Sequence, residues 1–169
     1  MGILSGNPEN EPMHYGEVFA TWSFLAAANG MVAGNQKHLN HAGDEDLQKL
    51  LEEAIQAGKQ EIAQIETLLK DNGIGLPPSL PEPPKANLDE IPDGARFQDM
   101  EIAATLGTQN AAGLVACSQI IGESIREDIA MMFGQFHTQK AILGAKVLKL
   151  TKDKGWLIPP PLLKNKTEE

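Results

Sequence analysis

Residues 45–80 read EDLQKLLEEAIQAGKQEIAQIETLLKDNGIGLPPSL, and residues 127–162 read EDIAMMFGQFHTQKAILGAKVLKLTKDKGWLIPPPL. Aligned without gaps, Glu45-Asp46-Leu47 falls on Glu127-Asp128-Ile129, and Ile65 and Leu68 fall on Val147 and Leu150. Lys70-Asp71-x-Gly73 falls on Lys152-Asp153-x-Gly155, and Leu76-Pro77-Pro78 on Ile158-Pro159-Pro160. An internal period of this kind outranks any single motif. At an offset of 82 residues it makes the chain two copies of one helical hairpin.

The first copy spells its helices out. In the stretch after Asp44, residues Leu47, Leu50, Leu51, Ala54, Ile55, Ile62, Ile65, Leu68 and Leu69 form one apolar stripe. Charged and polar residues fill the remainder, which predicts a surface helix with one face inward. Asp44 caps its start and Asn72-Gly73 stops it. The helix before it opens near His14, with Glu17 in the capping-box place and Met13 and Val18 as a staple. Its spacing of Val18, Trp22, Leu25, Asn29, Val32 and Gln36 predicts the inward face.

The second copy predicts a helix from near Asp99, taken as its cap, through Ile102, Leu106, Gly113, Cys117 and Ile120. Ser124-Ile-Arg-Glu127 has the form of a capping box for the last helix. That helix turns Ile125, Ile129, Met132, Phe133, Phe136, Leu143, Val147 and Leu150 inward. Met131, Ile142 and Leu148 lie beside this stripe, so its apolar arc exceeds that of its counterpart. The surplus points to a homodimer, with Phe133 counted among its contacts, or to cover by Leu80 or Leu88. Glycines at 30, 34, 58, 107, 113, 134 and 144 interrupt the helices. Close backbone approach between helices would offset their cost of roughly 1 kcal/mol each.

Between the copies, residues 73–95 carry six of the eleven prolines. Extended at ~3.1 Å per residue, such a segment reaches roughly 70 Å. A helix of this chain spans only about 40 Å. The segment therefore predicts a crossover along the bundle. The expected architecture is an all-α, ferritin-like four-helix bundle, with one domain over residues 1–169. Hairpin 1 covers about 13–72, the crossover 73–95, hairpin 2 about 96–155 and a tail 156–169.

Composition narrows the function classes. The net charge is -9 and the pI about 4.9, which argues against nucleic acid and anionic membrane surfaces as partners. The single cysteine, Cys117, sits in an apolar run and reads as a small buried hydrophobe. No apolar run is long enough to span a bilayer, and no signal peptide is visible. A cytoplasmic protein is the expectation.

Candidate chemistry is thin. A di-metal carboxylate bundle needs Glu-x-x-His on two helices. The stretch from 45 to 71 has no histidine, and the position three before His137 is Gly134. Neither a metal nor a cofactor is expected. His38-x-x-His41 is a permissible metal pair at a helix end, where solvation explains it as well. His14 and Glu17 form a second, weaker candidate pair, which capping explains without metal. His137, Asn29 and Asn110 stand near one mid-helix level. They read either as a buried polar layer or as a small-molecule pocket.

Two stretches resemble a known family. Met13-His-Tyr-Gly-Glu17-Val-Phe-Ala-Thr-Trp22 is similar to the opening of a family of uncharacterised proteins from spore-forming bacteria. Ile125-Arg-Glu-Asp-Ile129, Phe133, Phe136-His137 and Lys154-Gly155-Trp156 with Pro159-Pro160 fit the same family and, more loosely, spore-coat F-like proteins. The resemblance implies a ferritin-like bundle and a spore-coat label, with other coat proteins as partners. It implies no activity. The expected function is a non-enzymatic structural or interaction protein that is deposited on the spore coat. The alternative is a metal- or small-ligand-binding bundle.

Overall fold

The computed structural model describes residues 11–163. Among them are four long helices and no strand: α1 (Tyr15–His41), α2 (Glu45–Asp71), α3 (Asp99–Glu123) and α4 (Glu127–Asp153). α1 packs along α2 and α3 along α4, so the chain folds as two hairpins. α1 also meets α3 and α2 meets α4, which closes the helices into a bundle. α4 begins and ends 82 residues after α2.

The helix ends follow from local chemistry. His14 Nδ1 accepts the N–H groups of Gly16 and Glu17, while the Glu17 carboxylate accepts the His14 N–H. Asp44 accepts from Asp46 and Leu47 at the start of α2. α2 and α4 stop alike, with Gly73 at φ 71° and Gly155 at φ 70°. Gly73 N–H donates to Lys70 and Ile74 N–H to Leu69; Gly155 and Trp156 donate to Lys152 and Thr151. These paired bonds are Schellman closures, which need a left-handed residue that glycine adopts without strain.

Two expected caps are different. Gln98, not Asp99, precedes α3, and its N–H donates to Glu101. Asp99 instead accepts the Gly43 N–H at 2.8 Å, tying α3 to the α1–α2 turn. Ser124 is the C-cap of α3, and its hydroxyl donates back to Ile120. Arg126 holds the N-cap position of α4.

The α2–α3 connection contains two short 3₁₀ turns, Leu88–Glu90 and Asp93–Ala95. It is fastened to α1 at successive levels. Trp22 Nε1 donates to Gly75, Gln36 to Glu82 and Asn40 to Pro84. Lys59 of α2 also pairs with Glu82. Of the two leucines proposed as cover, Leu80 is exposed and Leu88 sits beside Gly43 in the α1–α2 turn.

The core is in two parts. One gathers Phe24, Leu25, Ile65, Leu69, Cys117, Phe133 and Phe136 near the α3–α4 turn. The other gathers Leu47, Leu51, Ile102, Leu106, Val147 and Leu150 near the α1–α2 turn. The stripe read for α2 is the buried one. On α1 the buried face is Glu17, Thr21, Phe24, Ala28, Val32 and Asn35, with Leu25 and Ala33 beside it. That face is rotated from the expected one, because three polar residues point inward. Ile125, expected on the inward stripe of α4, precedes that helix and is exposed, while Phe133 on α4 is fully buried. Phe133 therefore belongs to the core and not to an outer patch. The glycines also divide: an added Cβ would strike Val32 at Gly58, Lys140 at Gly113 and the Asn110 amide at Gly144. At Gly30, Gly34 and Gly134 it would meet open space, so close approach does not explain them.

Candidate functional site

A polar layer separates the two core halves at mid-height. Glu61 is 1% exposed, and Lys140 Nζ lies 2.8 Å from both of its carboxylate oxygens. Glu61 is on α2 and Lys140 on α4. The Lys140 stem crosses α3 at Gly113, where a side chain would collide with it. Its ammonium stands 5.7 Å from the Phe24 ring centroid, close enough for a cation–π contribution. Asn110 of α3 donates to the Lys140 carbonyl at 2.9 Å. Burial pushes the Glu61 carboxyl above its ordinary value, against the pull of the Lys140 charge.

A pocket of about 200 Å³ opens from this layer and is lined from all four helices. Ala28, Ala57, Leu106 and Leu143 contribute apolar wall. Its rim lies between α2 and α4, where the Glu53–Lys146 ion pair spans 2.6 Å. Asn35 and Gln109 also line it, and the carboxamide oxygen of each is buried without a hydrogen-bond partner. The layer's one buried carboxylate is neutralised by an ammonium. Among the described residues no three His, Cys, Asp or Glu side chains converge as a metal site would require.

The sequence candidates are placed as follows. Asn110 lies in the layer. His137 and Asn29 are half-buried, and neither lines the pocket. His14 and Glu17 do come together, at the end of the bundle. Glu17 is 2% exposed, and its Oε1 accepts the N–H groups of Ile125 and Arg126 at 2.8 and 2.9 Å. His14 Nε2 lies 3.2 Å from the Glu123 carbonyl. With Nδ1 accepting, Nε2 is the donor. Arg126, buried beside them, grips Asp128 with two bonds and reaches Asn72. This knot joins α1, α2 and the α3–α4 turn. His38 and His41 flank the Phe97 ring at centroid distances of 5.5 and 5.2 Å. Burial, and secondarily His41, lower the His38 pKa. Cys117 is fully buried, and burial pushes its thiol up to about 11, so the thiolate is not available at neutral pH.

Residues 1–168 match the family described as "Protein of unknown function (DUF3231)". The chain belongs to this family. It is 62% identical over 169 residues to "Uncharacterized protein YvdQ" of Bacillus subtilis (strain 168), covering all of this chain and 99% of that one. A crystal structure from Bacillus halodurans C-125, described as a "putative spore coat protein", superposes with a TM-score of 0.92 at 58% identity. It covers 94% of this chain and 100% of that one. A conserved hypothetical protein from Mycobacterium tuberculosis shares the fold alone, with a TM-score of 0.66 at 10% identity over 81% of this chain and 98% of that one. No helix among the described residues is long and apolar enough to cross a membrane.

Sequence reasoning missed Glu61 and Lys140. Glu61 sits in a stretch rich in charge, where a further Glu reads as solvated surface, and Lys140, the one charge between Asp128 and Lys146, reads as a single exposed lysine. One signal was available: Lys140 falls on Gly58 in the 82-residue alignment, a small residue exchanged for a long cation.

Proposed function

We propose that this protein is a non-enzymatic structural or interaction component of the spore coat, built as a ferritin-like bundle with its proline-containing connection as the crossover. The likeness to the Bacillus halodurans protein, near-complete in both chains at 58% identity, carries this reading. The bonds from the connection to Trp22, Gln36 and Asn40 support the crossover. The non-enzymatic part rests on how the buried groups are used. Glu17 is spent on backbone amides, Glu61 on Lys140, and the Cys117 thiol is held protonated.

A fluorescent fusion in a sporulating Bacillus tests the assignment. The expected outcome is synthesis during sporulation and a ring around the forespore that survives in extracted coats. Diffuse fluorescence in growing cells, with none on spores, would sink it. The second reading, a metal- or ligand-binding bundle, is favoured by the pocket. Stoichiometric iron, manganese or zinc in protein purified without added metal would displace the non-enzymatic one.

A further inference from the structure

We infer that the mid-bundle pocket binds a small neutral molecule, about one six-membered ring in size, that carries a hydrogen-bond donor. Three observations converge. The first is size: the pocket holds about 200 Å³, and an apolar cavity of ~150 Å³ already accepts benzene. Its wall at Ala28, Ala57, Leu106 and Leu143 suits a hydrocarbon body.

The second is charge. The ionisable groups on the pocket wall are Glu53 and Glu61 against Lys146 and Lys140, two acids and two bases, each acid paired with one base. A charged ligand would have to break a pair or enter without a counterion, which is costly in a buried site. The third is hydrogen bonding. The carboxamide oxygens of Asn35 and Gln109 are both buried and both unpartnered. Each is an acceptor, and a buried acceptor without a donor is destabilising. Both side chains line the pocket, so a turn of either carboxamide would bring its oxygen to a donor carried by a guest. The site lies at the layer where the hydrophobic core is interrupted, so occupancy would also knit the two core halves together.

Phenol, neutral at pH 7, is the probe, with benzene, benzoate and benzylammonium as size-matched controls. Titrations followed by amide chemical shifts use full-length protein at a concentration where sedimentation shows one species. Phenol is expected to produce saturable shifts at Asn35, Gly58, Gln109 and Lys140. Benzene should bind about tenfold more weakly, the value of one net hydrogen bond. Gln109→Leu should narrow that gap, and Ala57→Phe should fill the space and abolish the shifts. Because Ala57→Phe could perturb folding, the phenol-to-benzene ratio in Gln109→Leu stands as an independent readout. No saturable phenol shift in the wild-type protein, equal affinity for benzene, binding of either charged control as tight as phenol, or retained shifts in a folded Ala57→Phe would each overturn the inference.

Discussion

At the scale of single residues, the polar groups that face inward set the character of this molecule. Glu61 and Lys140 make an ion pair with almost no water at the carboxylate. Burial raises the Glu61 pKa, so its contribution to stability is intact below the ordinary glutamate value and is lost as pH rises through the raised one. Lys140→Met removes the counterion and raises that value further. At pH 7 the variant should lose up to about 3 kcal/mol, the cost of keeping Glu61 protonated there. The loss should fade towards the ordinary glutamate value. Urea unfolding across that range checks it, and a pH-independent loss would contradict it. Glu61→Leu with Lys140→Met should be neutral or stabilising by about 1–4 kcal/mol, as found for buried pairs replaced by apolar residues. The glycines offer a sharper contrast. Gly30→Ala and Gly134→Ala meet open space and should stabilise by about 0.5–1 kcal/mol through helix propensity. Gly58→Ala drives a methyl into Val32 at 2.6 Å and should destabilise. Thermal unfolding of the three variants gives the signs.

At the scale of elements, Glu17 serves two helix starts at once. It closes the capping box of α1 and, from 108 residues away, accepts the Ile125 N–H ahead of α4. Glu17→Ala leaves three N–H groups, those of His14, Ile125 and Arg126, without their acceptor. The Arg126 N–H is buried and the other two partly so; a buried orphan costs about 1–3 kcal/mol, so a loss of about that size is expected. Glu17→Gln keeps an acceptor oxygen and should lose less. Hydrogen exchange at Ile125 and Arg126 should quicken in the alanine variant beyond the global change; unchanged exchange there would refute the shared cap. His14 and Glu17 were legible as a capping pair because that bond is local. The reach of Glu17 to α4 was not, since a capping box at Ser124–Glu127 was the simpler local solution.

At the scale of the whole molecule, α4 presents Met131, Ile142 and Leu148 at 66%, 56% and 47% exposure. Met131 and Ile142 are eleven residues apart, about three turns, and so share a face; Leu148 lies roughly a third of a turn away. The patch is narrower than the sequence suggested, because Phe133 is inside. The proposed self-association through this face predicts a species of twice 18.2 kDa in sedimentation at micromolar concentration. Met131→Lys with Ile142→Lys should return it to monomer. A wild-type protein that sediments at 18.2 kDa would defeat the idea.

Where the helices begin and end was settled by the sequence alone at most boundaries. Asp44 as a cap, the α2 stripe and the glycines at 73 and 155 act through neighbours within a turn or two, and their chemistry is the same in any fold. Of the three residues read as one mid-height polar cluster, Asn110 lies in the layer, while His137 and Asn29 do not line its pocket. The layer's chief occupants were not legible. Lys140 meets Glu61 across 79 residues, and Glu17 is buried on α1 because it meets the Ile125 and Arg126 amides 108 and 109 residues away. A hydrophobic periodicity turns polar residues outward by default; only a partner delivered by another helix makes burying them favourable, and that partner exists only once the bundle has closed.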